Sequence, residues 1–198
     1  MKSRKLLSVL LALVLVFSIC AVAYATYPQT STGTVTVRFT TGCSSNTNGT
    51  NYWLGYSANA NTLLPGGSVD IAVDLANCPK TYVPTGVTNP MGSTPSVLDA
   101  IIASQSSYDY DLGWDSSPYV GDPGAYVHNV EDQELESNYE EGNGVHHSWG
   151  TGFVVIIEYT DSTGNVTSRV FPSEYVSNVP VADGMIIYVD LSSYDYTW

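Results

Sequence analysis

Apolar and polar residues alternate along several stretches of this chain, and at one place they recur at helical spacing. Thr34-Val35-Thr36-Val37-Arg38-Phe39 puts Val35, Val37 and Phe39 on one side of a half-buried strand. Tyr52 to Tyr56 reads as a short aromatic strand. The turn Leu63-Leu64-Pro65-Gly66-Gly67 leads to a second alternation, Ser68 to Leu75, whose apolar side holds Val69, Ile71, Val73 and Leu75. Between Thr94 and Ser104 the period changes to that of a helix. Thr94 serves as its N-cap, Pro95 as its first residue, and Val97, Leu98, Ile101 and Ile102 as its buried stripe. A continuous apolar run from Gly152 to Tyr159 predicts a central strand, and the turn Asp161 to Asn165 returns it as a hairpin through Val166 to Phe171. Asp183-Gly184 then launches a last strand, Met185 to Leu191.

The segment from about 105 to 150 lacks sustained periodicity. It carries the acidic stretch Glu131 to Glu136, Glu140-Glu141, and all three histidines. A connection of that length within a domain is functional or mobile, so specificity is expected there. The order strand, strand, helix, long excursion, hairpin, strand predicts an α+β fold, mainly β, with a β-grasp-like mixed sheet and one packed helix.

The first 25 residues stand apart from this pattern. Lys2, Arg4 and Lys5 precede the apolar run Leu6 to Phe17, and Ala23-Tyr24-Ala25 places small residues two apart. These are the parts of a secretory signal peptide, which leaves Thr26 to Trp198 as one exported domain without a transmembrane segment. Cys20 follows Ile19, where lipoprotein processing needs a small residue, so tethering through Cys20 is the weaker reading.

Removing the leader changes charge and cysteine arithmetic. The whole chain has six basic and nineteen acidic residues and a net charge of -13; only Arg38, Lys80 and Arg169 among the basic ones follow residue 25, while every acid does. So acidic a surface repels phosphate backbones and anionic headgroups, which argues against nucleic acid and membrane-surface partners. Cys43 and Cys78 remain as a pair. In an exported chain they are expected to form a disulfide, since they lack the close spacing of two zinc-binding thiolates.

Val35-Thr36-Val37, Ser96-Val97-Leu98-Asp99-Ala100-Ile101-Ile102 and Asp183-Gly184-Met185-Ile186-Ile187-Tyr188, taken in order and spacing, resemble the transcobalamin-like C-terminal domain of microbial surface proteins and vitamin B12 carriers. The resemblance implies a β-grasp-like sheet and non-catalytic binding, with a corrinoid such as cobalamin as the small ligand. Family members commonly carry a Trp and Asn-Gly hairpin before the final turn. Here Trp149-Gly150 and Gly164-Asn165 match it only loosely, so ligand contacts do not transfer residue by residue.

Four tryptophans and fourteen tyrosines after the leader are an unusual aromatic load, suited either to sheet cores or to binding surfaces. Trp53, Trp114, Tyr126 and Trp149 are the candidate ligand contacts. His128, His146 and His147, with Glu140 or Glu141, are candidate metal ligands, although adjacent strand histidines point to opposite faces. Asp109, Asp111 and Asp115 follow the opening of a calcium loop but lack its glycine and terminal glutamate. No nucleophile elbow, His-Glu-x-x-His pair or phosphate loop occurs. The expected function is therefore a secreted or cell-surface binding module for a small molecule or a surface partner. A structural or adhesive envelope protein binding wall polymer or protein is the alternative, and a secreted hydrolase the third reading.

Overall fold

The computed structural model describes residues 32–63, 70–78, 94–115 and 124–198. The expected leader and most of the loop between Pro79 and Pro95 lie outside them. The first alternation forms β1 (Thr34–Thr47), with Val35, Val37 and Phe39 buried together. It extends eight residues past its predicted end because Asn48-Gly49 closes a two-residue hairpin into β2 (Thr50–Trp53); both turn residues have positive φ, 49° and 80°. On the same edge, nearer its start, β1 pairs with β3 (Ile71–Asp74), which ends in a 3-10 turn over Leu75–Asn77.

The helix α1 (Val97–Ser104) buries Val97, Leu98, Ala100 and Ile101. Its N-cap is Ser96 rather than Thr94, and Pro95 sits outside the helix. The Ser96 hydroxyl accepts from the Asp99 N–H and the Asp99 carboxylate accepts from the Ser96 N–H. The Val97 and Leu98 N–H groups bond to the carbonyls of Val179 and Val176, so a neighbouring segment completes the cap.

Within the excursion the chain is ordered into strands. β4 (Tyr110–Asp115) and β5 (Gly124–Val130) form a separate two-stranded ribbon, and β6 (Ser137–Gly142) pairs with the start of β7 (Val145–Thr160). The loop reading is thereby corrected. Tyr, His, Trp and Gly stand at the alternating positions where aliphatic residues would have shown the period. A second Asn-Gly turn, Asn143-Gly144, joins β6 to β7. β8 (Val166–Val170) returns along β7 as expected, and β9 (Ile186–Thr197) closes the sheet.

The result is a mainly β structure: a mixed seven-stranded sheet in the order β2-β1-β9-β7-β6, with β3 also on β1 and β8 also on β7. β9 is parallel to β1 and antiparallel to β7. One face of the sheet packs on α1 and the ribbon through Val35, Val37, Phe39, Val155, Ile157, Ile187 and Val189. Asp183-Gly184 is stitched to the start of β1, where Asp183 accepts from the Thr34 N–H at 2.8 Å and the Gly184 N–H bonds the Thr34 carbonyl.

Cys43 and Cys78 are both buried and unbonded, which corrects the expected disulfide. Cys78 lies just past the turn after β3, whose last residue pairs with Thr34, whereas Cys43 is far along β1. Strand rise puts roughly 25 to 30 Å between those places, against the roughly 4 to 7 Å Cα separation of a disulfide.

This packing makes three predictions. Ile101→Ala should lower unfolding free energy by about 3 kcal/mol in denaturant titration; an unchanged midpoint would remove Ile101 from the core. Burial pushes each thiol up from 9.0 to about 11. A thiol reagent at mild pH should therefore find neither cysteine in the folded protein and both after unfolding. Because the folded pKa values are raised, this contribution to stability is complete below about pH 9 and fades as pH climbs through about 11. Recovery of a peptide pair linked through Cys43 and Cys78 would contradict it.

Candidate functional site

The sheet face opposite α1 is where the charge-bearing chemistry gathers, and its two halves differ. In the inner half, Asp190 of β9 is fully buried. Its Oδ1 accepts from the Thr40 hydroxyl at 2.9 Å and the Cys43 N–H at 3.1 Å; its Oδ2 accepts from the Ser44 N–H at 2.9 Å and the Ser44 hydroxyl at 2.6 Å. These donors surround an irregularity in β1, where Thr41 pairs with Leu191 but the next pairing is Ser45 with Ser193. The ladder cannot satisfy the intervening N–H groups, and Asp190 does.

Beside it runs a chain of charged and aromatic groups. The Tyr188 hydroxyl donates to Glu158 Oε2 at 2.8 Å and accepts from Arg38 Nη1 at 2.8 Å. Arg38 also pairs with Asp70, and Arg169 forks onto Glu158, with Nε at 2.7 Å from Oε1. Burial and the bond to Glu158 hold the Tyr188 phenol well above its ordinary pKa. Trp53 and Tyr56 cover the group: Trp53 meets the Tyr188 ring edge-on at 5.1 Å and lies under the Arg169 guanidinium at 4.1 Å, while Arg38 sits over Tyr56 at 4.5 Å. Asp190 is held by four neutral donors and each arginine is paired with a carboxylate, so the charged groups of this half are engaged within the protein.

The outer half is open. Register aligns Asn51, Asn46, Tyr194, Gly150 and Ser137 in one row across β2, β1, β9, β7 and β6. Tyr196, Ser148 and Tyr139 form the next row. Trp198, His146 and Glu141 end the face, with the His146 and Trp198 main chains exchanging hydrogen bonds. Strand alternation puts these side chains on the face of Asp190 and Tyr188. Tyr194 and Tyr196 lie 5.9 Å apart, and His146 stacks on Trp198 at 5.7 Å and 12°. Tyr139 places its hydroxyl 2.6 Å from His146 Nδ1. Tyr139 and Trp198 are 57% and 62% exposed. Where the two halves meet, a groove of about 280 Å³ is lined by Asn46, Asn51, Gly152, Ser192, Tyr194 and Tyr196.

The expected site residues are distributed as follows. Trp53 covers the inner half. Trp149 projects from the other face of β7, stacked on His147 at 4.4 Å, and His147 Nε2 lies 3.0 Å from Asp195. Trp114 and Tyr126 are on adjacent ribbon pairs and so on opposite ribbon faces: Trp114 packs toward the core beside Ala125, and Tyr126 lies outward over Gly113, stacked on Tyr175. These four aromatics therefore do not line a common pocket. His128 pairs with Asp111 on the ribbon at 2.7 Å, while His146 and His147 occupy opposite faces of β7. Asp115 accepts from the Tyr175 hydroxyl, and the Asp109 N–H is bonded by Glu131. Among the described residues no three His, Cys, Asp or Glu side chains converge for a metal. Asn46, Asn51, Gly152, Tyr194 and Tyr196 escaped the sequence reading. The alternation Tyr194-Asp195-Tyr196-Thr197-Trp198 was their visible signal.

Asp190→Asn tests the inner half. An amide offers one acceptor oxygen and would set its own N–H groups against the Ser44 N–H, so unfolding free energy should fall by about 3 kcal/mol. Chemical denaturation reads this directly, and a native-like midpoint would deny Asp190 its role at the β1 irregularity.

Among the described residues no helix is long and apolar enough to cross a membrane. Comparison with family models, curated proteins and solved structures returns no match to this chain.

Proposed function

We propose that this chain is an exported, non-catalytic binding protein of β-grasp-like form, which holds its ligand on the outer half of the sheet face opposite α1. Export rests on the leader pattern of residues 1 to 25. The β-grasp reading is supported by the meeting of the three segments that carry the transcobalamin-like resemblance: Val37 pairs with Ile187 across parallel strands, and α1 packs on that pair.

The observation that carries the binding reading is the paving of the outer half. Tyr194, Tyr196, Trp198 and Tyr139 present flat rings there, with Asn46, Asn51 and Ser148 among them. Rigid rings with polar tips supply contact area at small entropic cost. By contrast, the two most deeply buried carboxylates of the face, Asp190 and Glu158, are engaged in structural hydrogen bonds. Recognition on an open surface favours a surface partner or polymer. The corrinoid implied by the family resemblance is the competing ligand.

The test is co-sedimentation of the protein with insoluble cell-wall material, alongside absorbance titration with cobalamin and its base-free precursor. Tyr194→Ala combined with Tyr196→Ala should weaken whichever binding is found by about tenfold or more while leaving the melting temperature near native. Full binding by the double variant would remove the outer half as the site. Absence of both pelleting and saturable corrinoid binding would sink the reading itself.

A further inference from the structure

Gly152 is the least explained residue of the central strand. It lies inside β7, and its φ is not in the left-handed region. A Cβ built on it would meet nothing within 4 Å. Gly150, two residues earlier, is different: a Cβ there would fall 2.0 Å from the Glu136 carbonyl oxygen, so packing demands that glycine. Neither backbone conformation nor packing demands Gly152, and a strand-interior glycine weakens a sheet. What the missing side chain does is hold the floor of the groove between Asn46, Asn51, Tyr194 and Tyr196 at the level of the backbone.

We infer that this groove binds an uncharged glycan, one sugar ring lying over Gly152 and Ser192 against Tyr194 and Tyr196, with neighbouring sugars along the aromatic row toward Trp198. The inference rests on the binding surface proposed above and names its ligand class. Three observations argue for it.

The first is how the surface is built. The floor belongs to β1, β9 and β7: β9 lies between the other two, paired with β1 and β7 at Tyr194, and the Thr151 N–H, next to Gly152, is bonded to the Glu136 carbonyl. An added peptide strand would need an open edge, so a ligand here is gripped by side chains alone. A sugar ring suits that grip, because its C–H face packs on the electron-rich face of an aromatic ring and its hydroxyls bond to amides and other hydroxyls.

The second is the polar complement. Asn46 donates to Asn51 Oδ1 at 2.6 Å and accepts from the Gly49 N–H at 3.0 Å, which fixes its plane. Asn51 is exposed and uses its oxygen in that pair, leaving its amide N–H groups to donate outward. The Ser192 hydroxyl under the floor is buried and accepts from Ser44 at 3.0 Å, so the polar contacts to a ligand come from the two asparagines.

The third is charge. Both described arginines are committed, Arg38 to Asp70 and Tyr188, and Arg169 to Glu158. The groove lining holds no charged residue, and the chain carries a net charge of -13. Phosphate- or uronate-bearing polymers would meet repulsion without a cation to offset it. The aromatic row from Tyr194 to Trp198 spans about 13 Å, the reach of a short oligosaccharide rather than of one sugar.

Affinity electrophoresis of the exported protein through gels containing soluble β-glucan, mannan, xylan or galactan tests the inference, with polygalacturonate as the anionic counterpart. Retardation by at least one neutral polysaccharide is expected, equal in low and high salt and absent with polygalacturonate. Gly152→Leu fills open space on the floor and should cut the affinity at least tenfold without lowering the melting temperature. Tyr196→Ala, at a half-buried position, should cost about tenfold and serves if the first variant misfolds. Retardation that survives both substitutions would overturn the groove assignment, and retardation by polygalacturonate alone would overturn the charge argument. If no neutral polysaccharide retards a protein that still pellets with wall material or binds a corrinoid, the glycan class falls and the binding surface stands. If all of these fail, both fall together.

Discussion

The Asp190 carboxylate at the irregularity of β1 is the contact on which the arrangement of the sheet depends. β1 inserts two residues between its pairings with Leu191 and Ser193. An insertion of one would turn every later side chain to the other face, whereas an insertion of two preserves the alternation. Asn46 therefore stays on the face of Thr40 and Asp190 and meets Tyr194. The inserted stretch leaves the Cys43 and Ser44 N–H groups buried without a ladder partner, and each would cost roughly 1 to 3 kcal/mol if unsatisfied. Asp190 accepts both, with two hydroxyls besides, and so makes the register of the outer sheet affordable.

That register positions what lies on either side. The hairpin through Asn48-Gly49 carries Trp53 back opposite Ser44, where it covers Tyr188 and Arg169. Glu158 is only slightly exposed, and desolvating it would be costly without the Arg169 fork and the Tyr188 hydroxyl. The inner half thus consumes its charges internally. The outer half has aromatic rings and amides instead, and its glycine at 152 leaves room above the backbone. One sheet face is divided into a sealed polar scaffold and an open aromatic platform.

The excursion takes on a different meaning in this arrangement. Its ribbon closes the core on the α1 side, where Ala125, Val127 and Val130 are buried and Phe39 meets Tyr108 edge-on at 5.2 Å. Its later part supplies β6 and the first turns of β7, which widen the platform. The histidines expected to gather there are spread over the ribbon and both faces of β7, each beside its own partner: Asp111, Tyr139 or Asp195.

Local periodicity determined much from the sequence alone. The alternations of Val35 to Phe39 and Met185 to Leu191, the apolar run of β7, its hairpin with β8 and the Leu98–Ile101 stripe all reflect a side chain's choice between core and solvent, which repeats within a few residues. Asn48-Gly49 and Asn143-Gly144 are hairpin turn signals that the sequence reading passed over as loop, and they bound strands that hydrophobicity could not reveal. Partnership across the chain was not legible. Whether Cys43 reaches Cys78, which groups surround Asp190, and that Gly152 faces empty space beside Tyr194 depend on strand order and on a two-residue insertion. Those contacts join residues far apart in sequence, so no local pattern encodes them, and only the assembled sheet decides which side chains meet.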